Sequence, residues 1–332
     1  MSENKFRDGL NVSGFLTIGI VQTALELGLI YALVALSLFI SFSILDICDL
    51  STDGCYTLGC AVGAVVTIAG HPILAIFAAM AAGVCSGFIT AILQTKFGVQ
   101  SILAGIIVNT GLYTINLAVM GFSSNLSLFG SPTVFDMFKS LNPSKVWKSW
   151  SPFVLLLIIL AVIVLAIHWF LGTRLGLSIR ATGDSPAMVR ASSINPAFTT
   201  IVGLCVANSL TGMAGCLIGQ YNGNSDINLG TGMVTVALAS LIIGEMFFKN
   251  RGMLMRIIGV IIGSVLYRFV MSVALRLKIP TEAFKLVSAL IVAVALTAPQ
   301  IRKLIALHAQ KRASMKMSME EAEEEEGGDR SC

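Results

Sequence analysis

Long runs of apolar residues, separated by short polar stretches, make up most of this 332-residue chain. Several runs reach the length of about 20 residues that a helix needs to cross a lipid bilayer. The second and seventh runs are short or irregularly flanked, so we interpret them as re-entrant helices rather than simple spans. The pattern therefore predicts an all-α polytopic membrane protein. About nine membrane segments are predicted, at approximately 15–45, 54–70, 72–94, 100–121, 152–172, 197–219, 231–248, 253–275 and 283–299.

Composition supports a membrane protein and excludes several other classes. Only 12% of the residues are charged, whereas soluble domains carry about 25%. The cysteines and histidines are scattered without the spacing of metal ligands, so we expect no metal site and no cofactor. The phosphate-binding pattern G-x-x-x-x-G-K-[ST] is absent, so we expect no enzyme activity in this chain, and any ATP hydrolysis must occur in another subunit.

Glycines recur at matching places in the two halves of the chain. Three pairs share one offset in sequence: Gly54 with Gly230, Gly83 with Gly259, and Gly87 with Gly263. Within each half, Gly83 and Gly87, and likewise Gly259 and Gly263, form a GxxxG motif, which predicts close helix packing in lipid. The link after the first short segment is "GHP" and the link after the second is "KNRG", so the positive-inside rule predicts opposite topologies. We therefore predict inverted repeats at about 25–121 and 197–299, joined by 122–196, within a membrane domain 15–300.

Basic residues set the predicted orientation, because Lys and Arg accumulate in cytoplasmic loops. They cluster in loop 173–196, in turn 249–256 and after the last helix: Arg174, Arg180, Arg190, Lys249, Arg251, Arg256, Arg302, Lys303, Lys311, Arg312 and Lys316. Placing these three stretches in the cytoplasm puts the N-terminal segment 1–14 outside. The tail 301–332 is basic and then acidic, and its acidic end is predicted to be disordered.

The loop 122–151 is predicted to lie outside, although it carries three lysines, Lys139, Lys145 and Lys148. Aromatic residues alternate with these lysines: Phe135, Phe138, Trp147 and Trp150. This composition is typical of a segment at the membrane interface. The loop is therefore either an interfacial anchor or a docking ledge for an external partner.

Acids and hydroxyl groups follow the first membrane segment in "DICDLSTDG", where charge is costly in lipid. A polar loop that opens a short helix must be buried in protein or line water. One hypothesis is that these groups line a translocation path, with Asp49 favoured over Asp53 for contact with cargo. The candidate path residues in both halves are Asp49, Ser51, Asp53, Asn109, Asp226 and Asn228.

Helix capping is the alternative explanation for the same polar groups. Asp53 or Thr52 could cap the helix that begins near Gly54. In the second half, Asn228 or Thr231 could cap the helix that begins near Gly232. The sequence leaves both hypotheses open.

Three further charged residues lie within apolar segments. Glu26 in the first segment and Arg268 in the eighth must face protein or water, and they could form a pair. Glu245 lies four residues before Lys249, so we predict a helical ion pair at the cytoplasmic end.

The loop 171–196 contains capping signals for a short amphipathic helix. Ser185 can serve as N-cap with Pro186 at the first helical position. Asn195 and Pro196 mark the predicted stop, which gives a helix from Pro186 to Ile194. Its predicted exposed face consists of Met188, Val189, Arg190 and Ile194. Such a helix suits a groove on a cytoplasmic partner, or alternatively the membrane surface.

Several stretches together resemble one transporter family, the permeases for branched-chain amino acids, simple sugars and nucleosides. The first stretch, "GLIYALVALSLFISFSILDICDLSTDGCYTLGCAVGAVV", resembles the opening core of these permeases. "TRLGLSIRATGDSPAMVRASSIN" resembles their cytoplasmic coupling helix, and "DINLGTGMVTVALASLIIG" their second re-entrant segment. The likeness covers about residues 25–300, and "DLSTDG", "SILAGIIVNTGLYTINLAVMG" and "NLSLFG" are most similar to a branch labelled as tryptophan or tyrosine transport components.

The resemblance implies the membrane subunit of a type II ATP-binding-cassette importer in a bacterial cytoplasmic membrane. It implies a second permease copy, a cytoplasmic ATPase dimer and an external substrate-binding protein, such as a lipoprotein. The implied ATPase contact consists of Asp184, Ser185, Pro186, Met188, Val189, Arg190 and Ile194. The expected substrate is a small polar solute such as an amino acid, with nucleosides and sugars open. An ion-coupled secondary transporter or an unpowered channel is the alternative.

Overall fold

A computed structural model describes residues 18–141, 144–248 and 251–276, together with Leu286, Ala289, Ala293 and Thr297. Six helices in this part of the chain are long and apolar enough to cross a membrane. The predicted N-terminal segment 1–14, the tail 301–332 and the partner residue Lys249 lie outside the described residues. The predicted ninth segment, 283–299, is described only at those four single positions.

The described residues form an almost entirely helical fold with one small pair of strands. The helices are α1 (Ile18–Leu38), which continues as a π-helix (Phe39–Ile44), α2 (Thr52–Ile68), α3 (Pro72–Thr95), α4 (Ser101–Val119), α5 (Val134–Lys139), α6 (Lys145–Gly172), α7 (Arg174–Asp184), α8 (Pro186–Ala191), α9 (Pro196–Asn222), α10 (Met233–Phe248) and α11 (Met253–Arg276). Strands β1 (Asn125–Ser127) and β2 (Asn224–Asp226) pair antiparallel, with Asn125 opposite Asp226. The all-α polytopic prediction is confirmed.

The helices α2 and α10 are shorter than the six long helices, with 17 and 16 residues. Both were expected to be too short for a simple span. Two other predictions need correction. The predicted fifth segment, 152–172, is preceded by further helical turns, so α6 begins at Lys145. The loop 171–196 contains a second helix, α7, which was not predicted.

Two long helices, α1 and α9, form the centre of the fold. Buried residues cover most of both, whereas α3, α4 and α6 expose much of their apolar surface. The first helix of each half packs against the other half: α9 contacts α2 and α3, and α1 contacts α10 and α11. The hydroxyl group of Ser264 on α11 donates to the Gly28 carbonyl on α1 at 2.9 Å.

The four GxxxG glycines lie where helix backbones meet. A Cβ at Gly83 would overlap the Asn208 carbonyl oxygen on α9, and one at Gly87 would lie 2.5 Å from the Leu204 carbonyl oxygen. A Cβ at Gly263 would overlap the Ser240 carbonyl oxygen on α10. At Gly259, the Cβ would lie 2.7 Å from the Phe248 ring. Side chains at these positions would therefore separate the helices.

The charged residues inside the fold have partners that the sequence did not identify. Glu26 accepts hydrogen bonds from Tyr221 at 2.7 Å and from Gln22 at 2.9 Å. Arg268 lies over the Tyr31 ring, 3.4 Å from its centroid.

Glu245 forms an ion pair with Arg256 at 2.6 Å and also accepts a hydrogen bond from Ser43. This network joins the π-helix at the end of α1 to α10 and α11. The predicted partner of Glu245, Lys249, lies outside the described residues.

The segment before α6 packs by its aromatic residues. Phe135 is buried and meets Tyr221 edge to face, with centroids 5.7 Å apart, so it belongs to the core rather than to an exposed interface. The ring centroids of Phe138 and Trp147 lie 5.4 Å apart. Thr133 and Asp136 form a capping box at the start of α5.

Candidate functional site

A polar cavity of about 330 Å³ lies where the N-termini of the two short helices meet. Its walls come from α2, α4 and the segment that leads from β2 into α10. The lining residues are Asp53, Gly54, Thr57, Asn109, Thr110, Tyr113, Asn116, Ile227, Asn228, Gly230 and Thr231. Three predicted path residues, Asp53, Asn109 and Asn228, thus lie together at one cavity.

Asp53 joins the two halves of the protein through its carboxylate. It lies in the first turn of α2 but accepts hydrogen bonds from the backbone N–H groups of Gly232, at 3.0 Å, and Val234, at 2.8 Å. These are among the unpaired N–H groups at the start of α10. Asp53 therefore caps the helix of the other half, and the expectation that it caps its own helix was wrong.

The capping predictions for the other residues also need correction. The start of α2 has Ser51 at the N-cap position without a side-chain cap bond. The Thr52 hydroxyl donates to the Asp49 carbonyl at 3.0 Å instead. At the start of α10, the capping oxygens come from Asp53 rather than from Asn228 or Thr231.

Thr57 and Gly230 complete the contact between α2 and the second half. The Gly230 N–H donates to the Thr57 hydroxyl oxygen at 3.1 Å. A Cβ at Gly230 would overlap the Asp53 carbonyl oxygen, so only glycine permits this approach. The backbone before α10 therefore lies directly on the first turn of α2.

Asp49, which was favoured for contact with cargo, does not line the cavity. It is 1% exposed, and its carboxylate accepts hydrogen bonds from the Asn208 side chain at 2.7 Å and the Ser51 N–H at 2.8 Å. Asn208 lies on α9, so this bond ties the start of α2 to the central helix. Ser51 is fully buried and is also absent from the cavity lining.

Asp226 lies at the end of β2, outside the cavity lining. Its carboxylate accepts a hydrogen bond from the Asn228 N–H at 2.7 Å, which fixes the turn after the strand. The sequence placed Asp226 among the path residues because of its position before α10. The residues after Asp226 form the cavity wall instead, namely Ile227, Asn228, Gly230 and Thr231.

Sequence reasoning missed most of the polar wall on α4. Asn109, Thr110, Tyr113 and Asn116 all line the cavity. Their spacing of one, three and three residues places them on one side of a helix. A polar stripe on an otherwise apolar helix is visible in the sequence, and it could have indicated that this side of α4 faces a polar cavity.

Asn116 has an acceptor atom without a partner. Its side-chain nitrogen donates to the Gly54 carbonyl at 3.1 Å, which fixes the orientation of the amide. The Asn116 Oδ1 atom is buried and accepts no hydrogen bond from the described residues. The residues that line the cavity therefore include one buried acceptor without a partner among the described residues.

A second feature, on the side predicted to be cytoplasmic, is the short helix α8. Ser185 caps it as predicted, accepting from the Met188 N–H at 3.4 Å. The helix ends at Ala191 rather than at Ile194, because Ser193 has a positive φ of 60°. The Asn195 side chain then caps α9 by accepting from the Ala197 N–H at 3.0 Å.

The exposed surface of α8 is smaller than predicted. Met188 is 67% exposed, and Arg190 is exposed beside it. Val189 is only 2% exposed, so it anchors α8 to the protein, and its predicted exposure was wrong. Ile194 lies in the turn after the helix and is partly exposed, while Asp184 is the last residue of α7.

The helix α7 holds α8 against the membrane helices. A Cβ at Gly183 would overlap the carbonyl oxygen of Ile44, the last residue of the π-helix. The hydroxyl groups of Thr182 and Thr199 lie 2.8 Å apart, which links α7 to α9. The chain runs from Ile44 directly into the polar stretch that opens α2.

Known proteins similar to this chain are membrane transport components. Residues 20–296 match the family described as branched-chain amino acid transport system / permease component. The chain is 34% identical to a tyrosine transport system permease protein of Clostridioides difficile (strain R20291), over 82% of this chain and 89% of the relative.

Two further relatives extend the comparison. An uncharacterized protein of Rickettsia prowazekii (strain Madrid E) is 33% identical, over 84% of this chain and 97% of that protein. The ribose import permease protein RbsC of Escherichia coli (strain K12) is 29% identical over 67% of each chain. No solved structure gives a significant match.

Proposed function

The chain belongs to this permease family of ATP-binding-cassette importers, and from that membership we propose that it forms the substrate path of such an importer. The proposed setting is a bacterial cytoplasmic membrane. A second permease copy, a cytoplasmic ATPase dimer and an external substrate-binding lipoprotein complete the proposed assembly. The chain itself is a transport component, and ATP hydrolysis is assigned to the ATPase partner.

The polar cavity between the two short helices is the observation that supports this proposal most directly. Transporters with inverted repeats place their substrate sites where broken helices begin. Here Asp53, Asn109 and Asn228 line a cavity at the start of α2 and α10. Polar groups at membrane depth are costly in lipid, so they face protein or a water-filled cavity, and such cavities often mark a substrate path. We therefore assign the path to this cavity rather than to Asp49, Ser51 or Asp226.

We propose an amino acid as the substrate, and an aromatic one in particular. The similarity to a tyrosine transport system permease motivates this choice. The cavity volume of about 330 Å³ falls in the range of small-molecule sites. A sugar is the competing possibility, because the ribose import permease is also a relative.

The test is uptake into proteoliposomes that contain the permease, its ATPase and its binding protein. We expect accumulation of radiolabelled tyrosine that requires ATP and stops when the ATPase is catalytically inactive. Ribose serves as the competing cargo. Uptake that persists without the ATPase and follows a proton or sodium gradient would establish a secondary transporter instead.

We further propose that α8 is the element that contacts the ATPase. Its exposed Met188 and Arg190 suit a groove on a protein partner. α8 follows α7 directly, and Gly183 of α7 contacts Ile44, which lies just before the polar stretch that opens α2. A movement of α8 would therefore be transmitted to the start of α2. Rigid-body movement of packed helices would then alter the cavity.

The substitution Arg190→Glu tests this contact. We expect it to abolish co-purification of the ATPase while the permease still elutes as a folded species, because it reverses an exposed charge on α8. Arg174→Glu, which makes the same charge change at the start of α7, is the matched control. Wild-type binding of the ATPase to Arg190→Glu would contradict the proposal.

A further inference from the structure

The N-termini of two helices meet at the cavity, and a carboxylate of the chain itself occupies the place between them. Helix N-termini carry partial positive charge and bind anions through unpaired N–H groups. Asp53 lies at the start of α2 and accepts from the first N–H groups of α10. A position that would otherwise attract an anionic ligand is therefore already filled.

Asp53 still has acceptor capacity toward the cavity. An ionised carboxylate offers about four lone-pair sites, and the two bonds from Gly232 and Val234 occupy only part of them. Asp53 is half-buried and forms part of the cavity wall. The other described lining residues are neutral, so the negative charge of Asp53 has no cationic side chain opposite it in this wall.

The free acceptor of Asn116 lies in the same wall. The bond from the Asn116 nitrogen to the Gly54 carbonyl fixes which end of the amide is the oxygen, and that oxygen is an acceptor. That oxygen is buried and without a partner among the described residues. A buried acceptor without a partner is destabilising, so a ligand that donates hydrogen bonds here gains from both groups.

We propose that Asp53 and Asn116 form the subsite for a cationic ammonium group of the cargo. The proposal rests on the proposed function and adds the chemistry by which the cavity selects its substrate. An ammonium group donates up to three hydrogen bonds and carries the charge that complements Asp53. A carboxylic acid without an amine is repelled by Asp53, and a sugar lacks the compensating charge.

The experiment compares three ligands that differ in one group each. They are tyrosine, tyramine, which lacks the carboxylate, and 3-(4-hydroxyphenyl)propionate, which lacks the amine. Binding of radiolabelled tyrosine to the permease–ATPase complex in nanodiscs is measured, with the other two as competitors. The wild-type complex should bind tyrosine and tyramine at least about tenfold more tightly than the propionate, since a charge-assisted hydrogen bond is lost.

The substitution Asp53→Asn removes the charge and keeps one of the two side-chain oxygens. That oxygen can still accept from the Gly232 or the Val234 N–H group, while the other N–H group loses its acceptor. We expect the preference for the amine to fall about tenfold or more, while the propionate binds as well as before or better. Asn116→Leu should reduce the same preference, and Asp46→Asn, at an exposed acid outside the cavity, should leave it unchanged.

Two outcomes would overturn the subsite. The first is a wild-type complex that binds the propionate as tightly as tyrosine, or that binds none of the three ligands. The second is an Asp53→Asn variant that weakens all three ligands equally, which is the result of a purely structural cap. ATP-independent uptake in proteoliposomes would refute the proposed importer while leaving the amine preference intact, so the two failures are distinguishable.

Discussion

Asp49 and Asp53 lie four residues apart in the same polar stretch, yet their surroundings differ. The region around Asp49 is a buried contact between the start of α2 and the central helix α9, held by the bond to Asn208. The region around Asp53 is an open cavity at the junction of the two halves. One carboxylate is 1% exposed, whereas the other forms part of a cavity wall.

This difference shows that an acid in a membrane protein has two distinct uses. A buried carboxylate must be satisfied by donors from the protein, and it then fixes the packing of helices. A carboxylate at a cavity can satisfy backbone N–H groups and retain capacity for a ligand. Acids within the membrane are often functional sites. Whether a particular acid belongs to a substrate path can be decided only when its hydrogen-bond partners are known.

The largest expected effect on stability belongs to Asp49→Ala. The change removes the acceptor of the buried Ser51 N–H and of one of the two Asn208 amide hydrogens, the other of which donates to the Leu204 carbonyl. Two unsatisfied buried donors predict a loss of about 3 kcal/mol in the free energy of unfolding. Thermal unfolding of the purified permease in detergent measures the loss.

Asp46→Asn is the control for Asp49→Ala. Asp46 is exposed and belongs to the same stretch, and asparagine tolerates its positive φ of 57°, so this substitution should change the unfolding midpoint much less. A double-mutant cycle with Asn208→Ala should give a coupling energy of about 1 kcal/mol or more. A stable Asp49→Ala protein with abolished transport would restore Asp49 to the path and break the contrast with Asp53.

The second effect is expected for Asp53→Ala. Loss of the cap on α10 predicts a destabilisation of about 1–2 kcal/mol, smaller than for Asp49→Ala because water in the cavity can replace the carboxylate. ATP-driven uptake should nevertheless be lost, because the same change removes the carboxylate from the wall of the proposed site. Unchanged uptake with reduced stability would assign Asp53 to structure alone.

The sequence was sufficient for the class of fold and for the positions of the two short helices. Apolar length and the polar openings of α2 and α10 are local properties, and they lie within a single stretch of chain. The cap that Asp53 provides for α10 is not local, because its donors Gly232 and Val234 belong to the other half. No pattern within "DLSTDG" distinguishes a cap on its own helix from one on a distant helix.

The pattern of polar and apolar residues also did not predict which side chains of a short helix are buried. Val189 was predicted on an exposed face of a short amphipathic helix, but it is buried and anchors α8 to the protein. The stripe of Asn109, Thr110, Tyr113 and Asn116 on α4 is the opposite case. Its helical spacing can be recognised in the sequence, but only Asn109 was included in the predicted path, and Thr110, Tyr113 and Asn116 were not.

The smallest expected effect is that of Thr57→Val, which sharpens the account of the Asp53 region. Valine has the shape of threonine but removes the acceptor for the buried Gly230 N–H. We expect a loss of about 1 kcal/mol in the free energy of unfolding. Thr110→Val is the matched control, because the Thr110 hydroxyl is exposed and donates to its own helix at the Ile106 carbonyl. Equal unfolding midpoints for the two variants would mean that the Thr57 bond does not stabilise the junction, and the contact between the halves would then depend on Asp53 alone.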